Sequence, residues 1–376
     1  VHQWSWLPLA ALLLGSVQAQ AQETPEPHNR AEAVKIIADL RKIVAPKGLE
    51  RTEKLRIGGI DQWVSVRSRD LRNPVLLMIH GGPGWVAMPT SWYFAQGWDE
   101  YFTVVQWDQR GAGKTYVSND PATVAPTLTV DRMHADTEEI VQWARKTFGK
   151  EKIFVLGHSW GSILGLTLAE NHPEWLHAYI GAAQGIDAHE SERRGWAWTL
   201  EQARAAKNEQ AIRDLNSIAP YAVGKTPVPV KAILLQRKWL NVFGGAAYKR
   251  PDASFEGAAV KLSPEYTDED VRQVWKAQDL SVERLLAAVL TVDLTHVKRL
   301  KTPLILFLGR HDYNLSATVA AEWFAGVKAP SKQLVWFEQS AHEMLAEEPG
   351  KALLSLVRYA RPIAERAGDA APDGAR

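Results

Sequence analysis

IFVLGHSWGSILGLTLAEN, Ile153 to Asn171, is the stretch from which the rest of the chain can be read. Ile153 to Leu156 is a short apolar run, and the residues from about Ser162 to Asn171 have helical spacing, so the segment reads as strand, sharp turn and helix. Gly157, His158, Ser159, Trp160 and Gly161 make the turn a G-x-S-x-G sequence in the strand-turn-helix context that this pattern requires. Such a turn holds the serine in a strained backbone conformation. A side chain at either flanking glycine would collide with the neighbouring strand or helix. Gly165, one turn on, lets the helix approach the strand layer. Ser159 is therefore expected to be a nucleophile and not merely a helix N-cap.

Outward from this elbow, strand-like runs alternate with helical segments: Val75 to Ile79, Phe102 to Trp107, Ala178 to Ala183, Pro303 to Leu308 and Leu334 to Phe337. This alternation predicts a mostly parallel central sheet covered by helices on both faces. Glu53 to Ile57 and Gln62 to Val66, around Gly58 and Gly59, predict an antiparallel hairpin at its edge. From Gly185 to about Thr295 strand signals give way to helical ones, at Glu201 to Leu215, Val230 to Leu240, Asp268 to Trp275 and Ser281 to Val289. Pro227, Pro229, Gly244, Gly245 and Pro251 punctuate this region, which predicts an inserted cap of several short helices.

A serine hydroxyl needs a base to take its proton, and the base needs an acid to orient it. Asp312 follows the run Pro303 to Leu308, at the carboxyl end where parallel sheets keep their sites. His342, the last histidine in the chain, follows Leu334 to Phe337. Ser159, Asp312 and His342 thus occur in the order nucleophile, acid, base. His158 is expected to pack beneath the site, His311 to point away from it, and Glu343 to face solvent. His80 to Gly84, HGGPG, follows the strand at Val75, and Gly82 is the expected oxyanion donor beside the amide of Trp160. The loop Asp108 to Thr115, DQRGAGKT, ends like a phosphate-binding loop. Asp108 stands where that motif requires its first glycine, so the loop is read as the site's floor, with Asp108 and Arg110 in structural hydrogen bonds.

Together HGGPG, DQRGAGKT, GHSWGS and the Asp312 and His342 loops resemble the proline iminopeptidase family of α/β-hydrolases, over about Glu53 to Ala183 and Leu300 to Ala364. The resemblance implies an α/β-hydrolase fold and removal of N-terminal residues through an acyl-enzyme, with no metal or organic cofactor. The chain departs from the family at His158, where glycine is usual, and at Thr115, where serine is. Such exopeptidases hold the substrate's amine with cap carboxylates. Glu190, Glu192, Glu201 and Asp279 are available, but each reads as a solvated surface residue. Trp85, Trp196, Trp198 and Trp239 are the candidates for a hydrophobic substrate pocket. A carboxylesterase or lactonase would use the same core motifs. An inactive binding protein of this fold is disfavoured, because no triad member or oxyanion glycine is lost.

Composition bounds the rest. With 376 residues, 44 Lys plus Arg against 43 Asp plus Glu and a net charge of +1, the chain suits one large core with an insertion and gives no reason to expect a nucleic-acid partner. A small molecule or short peptide is the expected substrate. The absence of cysteine excludes a thiol nucleophile, disulfides and thiolate metal sites. The uncharged, apolar start followed by Ala19, Gln20 and Ala21 reads as a signal peptide cleaved after Ala21, with a periplasmic or secreted product and no stable membrane insertion afterwards. The expected organisation is a signal peptide at 1–21, an N-terminal arm at 22–52, core at 53–184, cap at 185–295, core again at 296–366 and a flexible tail at 367–376.

Overall fold

The computed structural model describes residues 26–224 and 226–372. The signal peptide expected at 1–21 and residues 373–376 of the tail lie outside them. Among the described residues one sheet contains β1 (Leu49–Ile57), β2 (Ile60–Ser68), β3 (Val75–Ile79), β4 (Thr103–Asp108), β5 (Ile153–His158), β6 (Leu176–Ala182), β7 (Leu304–Gly309) and β8 (Lys332–Phe337), in the order β1-β2-β4-β3-β5-β6-β7-β8. β1 and β2 form the antiparallel hairpin, and β2 pairs antiparallel with β4. All remaining pairs are parallel. Strands β3 to β7 are buried along their whole length, which is why most of each reads as an apolar run, although β4 also buries Gln106 and Asp108 and β6 His177. The edge strand β1 alternates half-buried and exposed residues and turns Glu50, Lys54 and Arg56 to water, a charged rim that discourages strand addition.

The longer helices are α1 (Arg30–Arg41), α2 (Val130–Thr147), α3 (Trp160–Asn171), α4 (Ala188–Ala205), α5 (Glu209–Ser217), α6 (Val230–Val242), α7 (Ser254–Val260), α8 (Asp268–Val289) and α9 (Ala317–Gly326). Successive strand residues point to opposite faces. Leu77, Val155 and Leu306 pack with Ile140 of α2, Leu164 of α3 and Ala320 of α9 on one face. Their neighbours Leu76, Phe154 and Phe307 pack with Phe94, Trp98, Leu345 and Leu356 on the other.

Helices α4 to α8 fill the connection between β6 and β7. Its two ends are joined by a bridge between Asp187 and Asp293, with Leu294 N–H donating to the Ile186 carbonyl at 2.7 Å and Ala188 N–H to that of Val292 at 3.0 Å. The insertion is less fragmented than its sequence suggests. Asp268 to Val289 is one 22-residue helix opened by a Thr267–Asp270 capping box, because the polar stretch between its apolar halves contains no glycine or proline to break it. Conversely, Glu201 to Leu215 is divided: α4 ends at Ala205 and Asn208 caps α5.

At the N-terminus β1 starts four residues earlier than predicted, its inward positions disguised by Arg51 and Glu53, which pair with each other at 2.8 Å. Arg30 of α1 binds Asp268 and the Tyr266 carbonyl, both at 2.7 Å, so the arm is tied to the insertion. The tail is not free at its start. Asp369 accepts from His177 at 2.9 Å and pairs with Lys150.

Candidate active site

The turn between β5 and α3 has the geometry that its glycines require. Ser159 sits at φ 54°, ψ −119°, a conformation that side-chain-bearing residues rarely hold. A Cβ on Gly157 would lie 2.3 Å from the Gly161 carbonyl oxygen, and one on Gly161 only 2.1 Å from that of Ile79. Because the second clash is with strand backbone, Gly161→Ala is expected to cost about 3 kcal/mol or more of stability. Thermal denaturation measures it, and an unchanged midpoint would show that β3 can yield.

Three loops at the carboxyl ends of β5, β7 and β8 bring together the residues read from the sequence. Ser159, Asp312 and His342 are 7%, 2% and 4% exposed. His342 Nε2 lies 2.9 Å from Ser159 Oγ, and its Nδ1 lies 2.9 Å from Asp312 Oδ2. Asp312 Oδ1 accepts from the amides of Asn314 at 2.9 Å and Leu315 at 3.0 Å. With one carboxylate oxygen held by its own loop and the other facing Nδ1, the imidazole carries its proton on Nδ1. Nε2 is then left to accept from the serine.

The insertion also holds these loops. The His342 N–H donates to the Ala246 carbonyl at 2.9 Å, and the Tyr313 N–H to that of Gly245 at 3.0 Å. Trp198 stacks on Tyr313 with ring centroids 4.1 Å apart, and Tyr248 on His311 at 4.0 Å. His311 thus points away from the triad. His158, expected beneath the triad, instead forms part of the cavity wall, its Nε2 donating to the His342 carbonyl at 3.0 Å and lying 3.9 Å from Glu343, and burial pushes its pKa down to about 3, so it stays neutral.

Gly81 and Gly82 share a cavity wall with Ser159, and a Cβ on Gly81 would come within 3.1 Å of the serine Cβ. Trp160 opens α3, so its amide has no carbonyl one turn earlier within the helix. Gln109 braces both sides of this arrangement, accepting from Trp160 Nε1 at 3.1 Å and donating to the His80 carbonyl at 2.9 Å. Arg110 is held by Asp136, at 2.8 and 3.2 Å. Lys114 pairs with Asp270 of α8 at 2.6 Å, which commits it to the insertion. Asp108 accepts from Tyr266 Oη at 2.5 Å and the Lys114 amide at 2.8 Å, yet burial pushes its pKa up to about 7.

The triad opens into a cavity of about 760 Å³, walled in part by Trp85, Trp160 and Trp275. Of the four tryptophans expected there, Trp85 is present and three are not. Trp196 stacks on Tyr221 and donates to the Leu215 carbonyl, Trp198 is spent on Tyr313, and Trp239 donates to Asp214 within a cluster of α4, α5 and α6. Tryptophan content marked an aromatic region but not which way each ring turns.

Two carboxylates expected at the surface are inside. Glu192 is buried, ion-paired to Arg237 and accepting from Tyr221 Oη at 2.6 Å, and both it and Arg237 line the cavity. Glu343 lines the cavity with its side chain 13% exposed. Glu201 and Asp279 are exposed as expected, and the half-buried Glu190 pairs with Arg193 and Arg194. Glu256 was missed: it is hydrogen-bonded to Glu343 and accepts from Trp85 Nε1 at 2.8 Å. Its signal was a single acid within the otherwise apolar run Phe255 to Val260. Gly81, Trp85, His158, Glu256 and Glu343 bound a side pocket of about 30 Å³ beside the cavity.

A family model described as alpha/beta hydrolase fold matches residues 74–349. The chain belongs to the α/β-hydrolase family. This hydrolase is 26% identical over 321 residues to the Probable aminopeptidase YbaC of Bacillus subtilis, covering 84% of the chain and 98% of that protein. It is 29% identical over 197 residues to a proline iminopeptidase of Neisseria gonorrhoeae, covering 52% of the chain and 58% of the relative. Among solved structures, a proline iminopeptidase of Mycobacterium smegmatis superposes with a TM-score of 0.60 at 16% identity, covering 84% of this chain and all of that one, a likeness of fold.

Proposed function

We propose that this α/β-hydrolase is a serine aminopeptidase that releases the N-terminal residue of short peptides or small amides through an acyl-enzyme. His342 Nε2 takes the proton of Ser159 as Oγ attacks the carbonyl carbon. The amides of Gly82 and Trp160 receive the developing oxyanion, and His342 returns the proton to the leaving amine. Water then releases the acyl group by the same base. The observation that carries the aminopeptidase reading is the side pocket, where Glu343, the residue after the base, meets Glu256. There the substrate's α-ammonium finds a carboxylate while its scissile carbonyl lies at Ser159. The names of the relatives support the same reading.

The carboxyl pair makes binding depend on pH. Burial, reinforced by Glu347 and Asp312, pushes the Glu343 pKa up to about 8, and burial beside Glu343 raises that of Glu256 well above the usual carboxylate range. Near neutrality the pair retains a proton, which an incoming ammonium must displace. More of Glu343 is ionised as pH rises toward 8, so KM for a free-amine substrate is expected to fall between pH 6 and 8. In Glu343→Gln that trend disappears and KM rises roughly 10- to 100-fold, the loss of one charge-assisted hydrogen bond. Steady-state kinetics on prolyl and other aminoacyl arylamides, with their N-acetyl forms as controls, decide the matter. Equal turnover of the acetylated forms, or turnover of short-chain aryl esters alone, refutes the aminopeptidase reading.

A further inference from the structure

The residues that line the cavity continue into both apolar layers of the sheet. Glu343 runs directly into Met344, Leu345 and Ala346, which belong to the apolar layer containing Phe94 and Phe307. The other end is walled by Ile163, Ile186, Leu286, Val289, Val292 and Leu315. Ile163, Ile186, Val289 and Val292 pack with the opposite layer, the one containing Leu164 and Ala320. None of these six residues borders the carboxyl side pocket. Ser159, at the end of the central strand β5, stands between the Glu343 end and a mainly apolar chamber whose lining also includes Arg237 and Glu192, already neutralised by each other.

This arrangement has a direction. In a substrate with a free α-amine, one carbon separates that amine from the scissile carbonyl. The main chain of the acyl part is then used up between Glu343 and Ser159, and only its one side chain remains to be housed. Whatever follows the scissile nitrogen has to leave on the other side, toward the apolar chamber. A cavity of about 760 Å³ falls within the range that encloses drug-sized molecules, far more than one acyl residue fills. Resting on the aminopeptidase reading, we infer that the chamber is the leaving-group subsite, and that the substrates are peptides or amides whose residue after the scissile bond is bulky and apolar.

The test is a series of prolyl and alanyl n-alkylamides, from methyl to hexyl, assayed by release of the alkylamine. Transition-state contact with the chamber is expected to raise kcat/KM by roughly fourfold per methylene until the chamber is full. In Leu286→Gln, and in the shape-conserving Val289→Thr, the hexyl-to-methyl ratio is expected to fall at least about fivefold. Val289→Thr guards against loss of folding in the bulkier change. A flat series in the unmodified enzyme overturns the inference while leaving the aminopeptidase reading intact, provided that the N-acetyl forms are refused. If they are accepted equally, the aminopeptidase reading fails and takes the inference with it. Absence of turnover for every free-amine amide overturns both. A gain from lengthening the acyl group in place of the leaving group assigns the chamber to the other side of the bond and refutes the proposal.

Discussion

Ser159→Ala is expected to lower kcat by roughly 10⁴- to 10⁶-fold, with the thermal midpoint almost unmoved. The elbow's strain lies in the backbone, at φ 54°, and alanine keeps the Cβ on which that backbone is built. What disappears is the oxygen 2.9 Å from His342 Nε2, and with it the covalent route. The oxyanion amides and the cavity remain, so a residual rate above the uncatalysed one is part of the expectation. Turnover of an arylamide or aryl ester within tenfold of the unmodified enzyme would mean that Ser159 is not the nucleophile.

Asp312→Asn is expected to cost about 10⁴ in kcat, by a different route. Asp312 Oδ1 accepts two backbone amides of its own loop, and an asparagine satisfies them only with its carbonyl oxygen. Its NH₂ then faces His342 Nδ1 and forces that nitrogen to be the acceptor. The proton moves to Nε2, which can no longer accept from Ser159. The lesion is one of tautomer and leaves the fold in place. It is therefore expected to appear in kcat, with little change in KM or thermal midpoint. A loss smaller than tenfold would show that Asp312 does not set the tautomer.

The triad was legible because each member is announced by something the backbone demands: two glycines that admit no Cβ around Ser159, and strand ends that place Asp312 and His342 on one rim. The sheet was legible for a related reason, since strands covered on both faces are mostly apolar and keep an acid only where other elements supply partners, as Tyr266 and the Lys114 amide do for Asp108. Where side-chain direction decides, the sequence is silent. Trp198 and Trp85 look equally suited to a pocket, yet one stacks on Tyr313 and the other walls the cavity. Glu343 and Glu192 read as surface residues because a buried acid needs partners that are distant in sequence. Those partners are Glu256 for the first and Arg237 and Tyr221 for the second.

The carbonyls of Gly245 and Ala246, which receive the amides of Tyr313 and His342, have a bearing on how such an enzyme can change. Part of the scaffold that holds the triad is lodged in the insertion, outside the core that carries Ser159, Asp312 and His342. Exchanging the whole insertion for a relative's would withdraw two anchors from the acid and base loops along with the chamber wall. New specificities are therefore more accessible through single changes at Ile233 and Leu234 of α6 or Leu286 and Val289 of α8, all of which line the cavity, than through wholesale replacement, and this part of the molecule is a poor candidate for a modular unit.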